Sequence, residues 1–362
     1  MKKILILVNH YVVIYNFRKE LVERLIKDGY KVFLSCPPGD RIDELKKMGC
    51  EYIEASIERH GTNIFNELAL IKYYKKIMKD IKPDAVLSYT IKPNLYGGMA
   101  AASLNIPYLA NITGLGMAVE NSGIMQKISL ILYKYAFRKV NCVFVQNEEN
   151  KQFFINNSIA VDKLNLIPGS GVNLKQFKPL KYPMHNTVNF VFISRIMKKK
   201  GIDQYLEAAK YIKNKYPNTE FHICGFCEDN YEGIFKKLES ENIIKYHGMV
   251  RNVAEVLKDM DCTVHPTYYP EGMSNILLES CACARPIITT DRSGCREVVD
   301  DGINGYMIKQ KDTKSLINAI EKFMLLPIEK RIQMGLEGRK KVEKEFDRQI
   351  VVDKYMEEIG KV

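Results

Sequence analysis

The sequence predicts two doubly wound α/β domains in tandem. Three observations carry this. Short, continuously apolar runs alternate with amphipathic stretches from the first residues, the alternation breaks once at a Gly-, Pro- and Asn-rich segment, and the same alternation then restarts. At 362 residues the chain is also long for one hydrophobic core, so two domains of about 170 residues each are expected.

In the first half, "KILILV" reads as a strand followed by a helix over 17–28. "KVFLSC", a helix near 40–48 and "YIEA" come next. Then follow a helix over 66–80, "DAVLSY", a helix over 94–104, "PYLANI", a helix over 124–139 and "CVFVQN". Strands apolar throughout, separated by helices, belong to a parallel sheet covered on both faces. The segment "IPGSGVNLKQFKPLKYPMHN" (167–186) reads as the interdomain connection. After it come "VNFVFIS", a helix over 201–215, "EFHICG", a helix near 232–241 and "IKYHG". A helix over 252–259, "CTVHP", a helix over 274–284 and "PIITT" complete the pattern, and the charged tail 327–362 is helical. The expected domains are 1–178 and 187–345, with 346–362 a helix returning to the first domain. Ligands in open parallel sheets bind at the carboxyl ends of the strands, so substrates are expected across a cleft between the domains.

Composition narrows the function. With 46% hydrophobic and 27% charged residues the chain is an ordinary globular protein. Its apolar runs fall short of the ~18 residues a membrane span needs. The opening "MKKILILVNH" reads as a buried strand, because its apolar stretch is too short for a signal peptide and no small-residue cleavage site follows. Nine irregularly spaced cysteines fit reduced thiols in the cytoplasm, and Cys224 and Cys227 lack the second pair that a zinc site requires. Of the formal charge of +11, residues 1–180 carry +9 (25 Lys/Arg against 16 Asp/Glu) and the rest +2. The first half is therefore expected to meet an anion: a lipid surface, a phosphate-bearing substrate or nucleic acid. No glycine fingerprint of a dinucleotide site and no P-loop is present, which removes most of the weight from oxidoreductase and kinase readings.

The site is expected in "CTVHPTYYPEGMSNILLES". A strand, a loop and a helix there place the amides of Gly272, Met273 and Ser274 at a helix N-terminus, a natural cradle for a diphosphate. The Ser274 hydroxyl either caps the helix or meets a phosphate oxygen. Glu279, just over one turn into an apolar helix, suits two adjacent hydroxyls such as those of a ribose. Glu271 in the preceding loop would face the sugar end, and a surface pairing with Arg285 or a lysine is the competing reading for either glutamate. "VFISRIMKKKG" adds Arg195 and Lys200, cations able to neutralise a diphosphate leaving group, against the alternative of an exposed basic loop.

"SRIMKKKG", "CTVHPTYYPEGMSNILLES", "DRSGCREVVDDGINGYMI" and the linker "GVNLKQFKP" together resemble the glycosyltransferase family 4 signature. The resemblance implies the GT-B fold, two Rossmann-like domains facing a cleft, and retention of anomeric configuration. It implies that Glu271 contacts the transferred sugar, Glu279 the ribose, and Arg195 and Lys200 the diphosphate. Gly225 and the stretch Gly248 to Val250 are implied to lie against the nucleotide, and Gly294 and Glu297 belong to the same signature. Uracil as the base comes from the resemblance alone. "DMD" (259–261) matches the metal-binding motif of other glycosyltransferases, but Asp261 reads as capping the "CTVHP" strand, so neither metal nor cofactor is expected.

In the first domain, Arg18 in "YNFR", Lys92 and Asn94 in "TIKPNLYGG", and Thr113 and Gly114 in "NITGLG" follow strands and are expected to face an acceptor. The last loop lacks the histidine many family members carry near the reacting sugar. His10 is the candidate substitute, against the reading of a histidine satisfied within the fold. The loop spelling resembles bacterial enzymes that build capsule, O-antigen or N-glycan precursors on undecaprenyl diphosphate. This implies a polyprenyl-diphosphate-linked saccharide acceptor and a protein peripheral on the inner face of the plasma membrane. The helix 124–139 sets Lys127, Lys134 and Arg138 in one stripe, which suits an anionic membrane surface or, equally, a solvated face. The expected reaction moves a hexose-type sugar from a UDP-sugar, with the departing diphosphate taking the acceptor's proton and domain closure assembling the site. Two other readings stay open: an epimerase of related fold acting on a UDP-N-acetylhexosamine, and a basic nucleic-acid-binding protein. The dispersed charge and the absence of Trp weigh against nucleic acid.

Overall fold

The computed structural model describes residues 1–57, 63–115 and 123–362, with only the backbone of Ile64. The chain divides into two compact units, Met1–Gly171 with Arg348–Val362, and Val172–Asp347.

The first unit begins with β1 (Lys3–Leu7), α1 (Tyr11–Phe17), α2 (Lys19–Lys27), β2 (Lys31–Cys36), α3 (Ile42–Lys47) and β3 (Glu51–Glu54). Next are α4 (Ile64–Ile81), β4 (Ala85–Tyr89), a π-helical turn at Pro93–Gly97, α5 (Gly98–Leu104) and β5 (Tyr108–Ile112). After these come α6 (Ile124–Ala136), β6 (Cys142–Val145), α7 (Glu148–Asn156) and β7 (Leu164–Leu166). Among the described residues the strands form one parallel sheet in the order β3-β2-β1-β4-β5-β6-β7. Alternation along each strand sends side chains to both faces. Leu5 and Leu7 join Tyr74, Tyr133 and Phe154 on one face, while Ile4 and Ile6 join Leu21, Leu25 and Val351 on the other. Side-chain caps start several helices: Asn63 accepts from the Phe65 amide and Asn147 from the Asn150 amide.

The second unit contains β8 (Val188–Ile193), α8 (Ile202–Lys215), β9 (Thr219–Cys224), α9 (Glu232–Ser240), β10 (Lys245–Tyr246), α10 (Val253–Leu257) and β11 (Cys262–His265). It continues with α11 (Asn275–Ala282), β12 (Ile287–Thr290), β13 (Gly305–Ile308), α12 (Thr313–Met324) and α13 (Ile328–Glu345). Its parallel sheet runs β10-β9-β8-β11-β12-β13. One face packs Phe190, Phe192 and Ile223 under α8 and α12. The other packs Val191 and Ile287 under Leu277, Leu278 and Val342 of α11 and α13.

Several elements lay outside the sequence reading. α1 forms because the His10 ring nitrogen caps it, accepting from the Val12 amide at 3.2 Å. α7, β7, β13 and α12 were not assigned from sequence, and α6 ends at Ala136 rather than 139. The boundary falls at Gly171, not 178. Val172 and Phe177 are buried in the core of the second unit, and the Leu180 amide donates to the Cys283 carbonyl at 3.2 Å. Arg285 fixes the rest of that segment. Fully buried, it donates to the carbonyls of Leu180, Lys181, Leu257 and Lys258 at 2.8–3.2 Å.

The last helix, α14 (Arg348–Gly360), packs on the first unit. Arg348 pairs with Glu20 at 3.0 Å, and the Tyr355 ring lies 4.1 Å from that of Phe144.

Candidate active site

The carboxyl ends of β8, β9, β10 and β11 come together in the second unit. Glycine makes the approach possible. Gly225 has φ +141, and a Cβ there would sit 1.8 Å from the Ser194 carbonyl oxygen. Its amide donates to the Gly248 carbonyl at 2.7 Å, and its own carbonyl accepts from the Tyr246 hydroxyl at 2.8 Å. Gly201 (φ +81) likewise brings the turn after β8 against Pro266, which follows β11. Val250 is half-buried against the core of this unit.

The two predicted cations converge on the loop between β11 and α11. Lys200 is buried, and its ammonium bonds the Glu271 carboxylate, which is itself largely covered. Arg195 donates to Glu228 at 2.6 Å. The Tyr269 ring lies between them, 5.4 Å from the Arg195 guanidinium and 5.0 Å from the Lys200 ammonium. Burial pushes the Glu271 carboxyl up, but Lys200 and the nearby His265 more than offset it and bring it down to about 2. Glu271 is thus a fixed anion at neutral pH and a poor general base. In this arrangement each cation has a carboxylate partner.

The helix start differs from expectation in one respect. The Ser274 amide is not open, because it donates to the Gly294 carbonyl at 2.8 Å. Ser274 is the N-cap residue of α11, but its hydroxyl makes no cap bond. The first intrahelical bond runs from Leu278 to Ser274, so the open amides of the first turn are those of Asn275, Ile276 and Leu277. The open amides thus begin one residue beyond Ser274, and Met273 is a core side chain. Gly272 is buried, and its carbonyl lies against Gly294. Glu279 stands half-exposed on α11, whose Leu277, Leu278 and Cys281 face the core. Arg285, the partner considered for it, is engaged instead by the backbone carbonyls described above.

Gly294 and Glu297 act as a brace. Gly294 has φ +86, and a Cβ there would lie 2.8 Å from the Glu271 Cβ. The Glu297 carboxylate accepts from the Gly294 amide at 2.7 Å and from the Ser293 hydroxyl at 3.2 Å. Asp261 is buried and accepts from the Asn189 amide at 2.8 Å, tying β11 to β8. Among the described residues no group of three or more His, Cys, Asp or Glu is placed to hold a metal.

The first-unit candidates do not form one cluster. Arg18 is buried between the Tyr89 and Tyr355 rings, at 5.3 and 5.6 Å, rather than projecting from its helix. Burial overrides the expectation, since α14 covers it. Asn94 is also buried: its amide donates to the Asn111 carbonyl at 2.7 Å and its oxygen accepts from Ser88 at 2.6 Å. It holds β4 to β5 and is not presented to a ligand. Lys92 pairs with Glu67 at 2.7 Å. His10 caps α1. Thr113 and Gly114 (φ +141) are half-buried after β5, and Gly116 of that loop lies outside the described residues. α6 exposes Ile124, Met125, Ile128, Ile131 and Tyr135, with Lys127, Lys134 and Arg138 along the same side.

Comparison with known families decides the class. Residues 175–341 match the model "Glycosyl transferases group 1", and residues 3–147 match "Glycosyl transferase 4-like". The chain belongs to this glycosyltransferase family. Among its relatives is the N,N'-diacetylbacillosaminyl-diphospho-undecaprenol alpha-1,3-N-acetylgalactosaminyltransferase of Campylobacter jejuni, 26% identical over 95% of this chain and 94% of that one. The UDP-Gal:alpha-D-GlcNAc-diphosphoundecaprenol alpha-1,3-galactosyltransferase of Escherichia coli is 28% identical over 82% and 81%. The glycosyltransferase has the GT-B fold. It matches a Rickettsia africae glycosyltransferase structure (TM-score 0.83, 19% identity, 99% and 98% covered) and Anabaena Alr3699/HepE in complex with UDP and glucose (TM-score 0.83, 15% identity, both chains fully covered).

Three further groups lie at these strand ends and are brought there by the fold. Glu228 is the Arg195 partner, brought in by the turn after β9. His265 is buried, neither ring nitrogen has a hydrogen-bond partner, and one lies 3.8 Å from Glu271. The Asn275 side-chain oxygen is buried and unpartnered at the start of α11. A histidine ending an otherwise apolar strand was the available signal for the second.

Proposed function

We propose that this glycosyltransferase moves a hexose-type sugar from a UDP-sugar to a polyprenyl-diphosphate-linked saccharide, with retention at the anomeric carbon, at a membrane surface. The observation that carries the reading is the Lys200–Glu271 pair, with Arg195 across the Tyr269 ring, at the strand ends beside the open amides of α11. In the proposed reaction the donor diphosphate takes Lys200 and Arg195 from their carboxylates and meets the Asn275–Leu277 amides. Glu271 then turns to a hydroxyl of the transferred sugar, and Glu279 to the ribose. The bond from the sugar's anomeric carbon to the diphosphate breaks on the face where the acceptor oxygen attaches. The acceptor's proton passes to the departing diphosphate oxygen. No protein base is required, which suits a Glu271 held near pKa 2. Fixed cations and amides supply charge compensation where charge develops. Transfer is accordingly expected to be unchanged by EDTA.

The acceptor class rests on the relatives, whose names specify undecaprenol-diphosphate-linked saccharides. α6 supports a membrane setting. No helix among the described residues is long and apolar enough to cross a membrane. Yet Ile124 and Ile131 are 78% and 67% exposed beside a basic flank, the pattern of a helix lying in an interface.

The reading is tested by thermal shift with UDP-, GDP- and ADP-sugars, then by incubating the best donor with undecaprenyl-diphosphate-linked N-acetylglucosamine. A UDP-sugar should raise the melting temperature and be consumed, and the product's anomeric coupling in proton NMR should match the donor's. No shift with any nucleotide sugar would refute the donor site. Flotation with phosphatidylglycerol vesicles should retain the protein more than phosphatidylcholine does. Ile128→Asp with Ile131→Asp should abolish retention without lowering the melting temperature.

A further inference from the structure

One buried group of the second unit is left unsatisfied by the fold. His265 ends β11, its side chain is 2% exposed, and among the described residues neither ring nitrogen has a hydrogen-bond partner. Buried polar groups are almost always paired, and an imidazole without partners costs a folded protein more than an apolar side chain in the same space. Packing does not require it, since an apolar ring would meet the neighbouring Phe192, 6.4 Å away between centroids, equally well.

The ring faces a single oxygen. Its Nε2 lies 3.8 Å from Oε1 of Glu271, beyond hydrogen-bond reach, and the Lys200 ammonium occupies that same oxygen. The backbone around these groups is fixed. His265 pairs with Thr289 in the sheet, and its carbonyl accepts from the Thr289 hydroxyl at 2.9 Å. The turn carrying Lys200 packs backbone to backbone on the residue after His265, because a Cβ on Gly201 would lie 2.1 Å from the Pro266 carbonyl oxygen. An exchange of partners at Oε1 therefore needs only side-chain motion.

Among the described residues, Glu271 favours a protonated His265 ring and Lys200 opposes it. Burial opposes it more strongly, and the ring is held below its ordinary value. Phe192 from β8 and Thr289 from β12 bring no charge, and the Cys295 thiol, which shares Glu271 and Lys200 as neighbours, is kept neutral by burial. With Lys200 in place the ring is neutral. Once a diphosphate draws Lys200 away, the opposing charge leaves, Oε1 is vacated, and the carboxylate loses the cation that balances it. All three changes favour imidazolium.

We infer that His265 is a positioning residue for Glu271: as Lys200 turns to the donor diphosphate, the ring takes a proton from solvent and its Nε2–H closes on Oε1, leaving Oε2 for the hydroxyl of the transferred sugar. This rests on the donor reading above, in which the diphosphate takes Lys200. Donor binding is thereby coupled to proton uptake, with no covalent bond to carbon or phosphorus made or broken.

Calorimetry with UDP-galactose in phosphate and in Tris at pH 7.5 measures the proton, because the binding heat then shifts with the buffer's heat of ionisation. The nucleotide sugar itself has no group that titrates near neutrality. Net uptake of about half a proton or more is expected. Since the bound state holds the proton, binding is strong at low pH and weakens as pH rises, by about tenfold between pH 6.5 and 8.5. His265→Gln should abolish the uptake and flatten this dependence, while His247→Gln, beside Gly248, should retain both. His265→Leu, close in volume, should keep the wild-type melting temperature. Its kcat should nevertheless fall about tenfold, with undecaprenyl-diphosphate-linked N-acetylglucosamine as acceptor, and His265→Gln should recover part of that loss. Uptake retained in a folded His265→Gln protein, or kcat unchanged in a folded His265→Leu protein, overturns the inference. The two readings fail separately. No binding heat with UDP-galactose or UDP-glucose sinks the donor reading and the inference with it, while binding whose heat ignores the buffer sinks the inference alone.

Discussion

Lys200 and Glu271 form a largely buried ion pair that, in the proposed reaction, the donor diphosphate opens. Removing the lysine alone leaves a covered carboxylate without its cation, so Lys200→Met should destabilise the protein by about 3 kcal/mol. The double variant Lys200→Met/Glu271→Gln should recover much of that loss in urea denaturation, because no buried charge remains. Glu271→Gln should keep UDP-sugar binding while transfer falls roughly 10²-fold through lost positioning. Since the folded carboxyl lies near 2, below its ordinary value, its stabilising contribution is complete above about pH 4.5 and disappears as the pH falls towards 2. At Gly294 the added methyl would meet Glu271 in a left-handed backbone. Gly294→Ala should therefore reduce transfer as well as lower stability by roughly 1–3 kcal/mol, as read by kinetics and urea midpoints together. Glu271, Arg195 and Lys200 were expected at neighbouring strand ends from the strand–loop–helix spelling of their segments, and the fold does bring Lys200 against Glu271. Their neighbours were not legible, since Glu228 follows β9 and only the folded register brings it to Arg195, while only the folded course of the loop after β11 returns Glu271 to 3.8 Å from His265. Arg18 and Asn94 misled for the same reason: a polar residue after a strand looks ligand-facing until another element covers it.

At the scale of elements, β9 and β10 carry an acid-sensitive contact. His222 and His247 stack 5.2 Å apart with ring nitrogens at 2.9 Å, beside Glu220 and Lys245. Burial, followed by His247, lowers His222 to about 4. The unfolded chain takes up a proton near pH 6.5 that the folded site refuses until about 4. Stability should therefore decline as the pH falls through that window, and His222→Gln should flatten the decline, as read by urea midpoints at pH 7 and 5. His265, also lowered by burial, should leave a residual slope. Apolar strands such as "KILIL" and "VNFVFI" were readable because burial on both faces leaves a continuous hydrophobic run. β7 has three residues, and none of them is buried, so it gave no comparable signal. α1 depended on a histidine cap that periodicity does not register.

At the scale of the whole molecule, α14 is bound into the first unit by Val351, Val352, Tyr355 and Ile359. Tyr355→Ala should cost about 3–5 kcal/mol, measured by denaturant unfolding, because the ring fills space between Phe144 and Tyr89. The Lys2 ammonium reaches the Val362 carbonyl at 3.1 Å, so segments 360 residues apart in sequence meet. That meeting imposes an order on biosynthesis. A ribosome adds roughly 5–20 residues per second, so about ten to thirty-five seconds separate Gly171 from Arg348. Throughout that interval Tyr89 and Phe144 wait with their covering segment still unmade, and at its end Val172–Asp347 is whole before Arg348–Gly360 has been added. The nascent chain is thus expected to complete Val172–Asp347 before the unit that Met1–Gly171 begins, with a greasy sheet face available to chaperones until Arg348–Gly360 emerges.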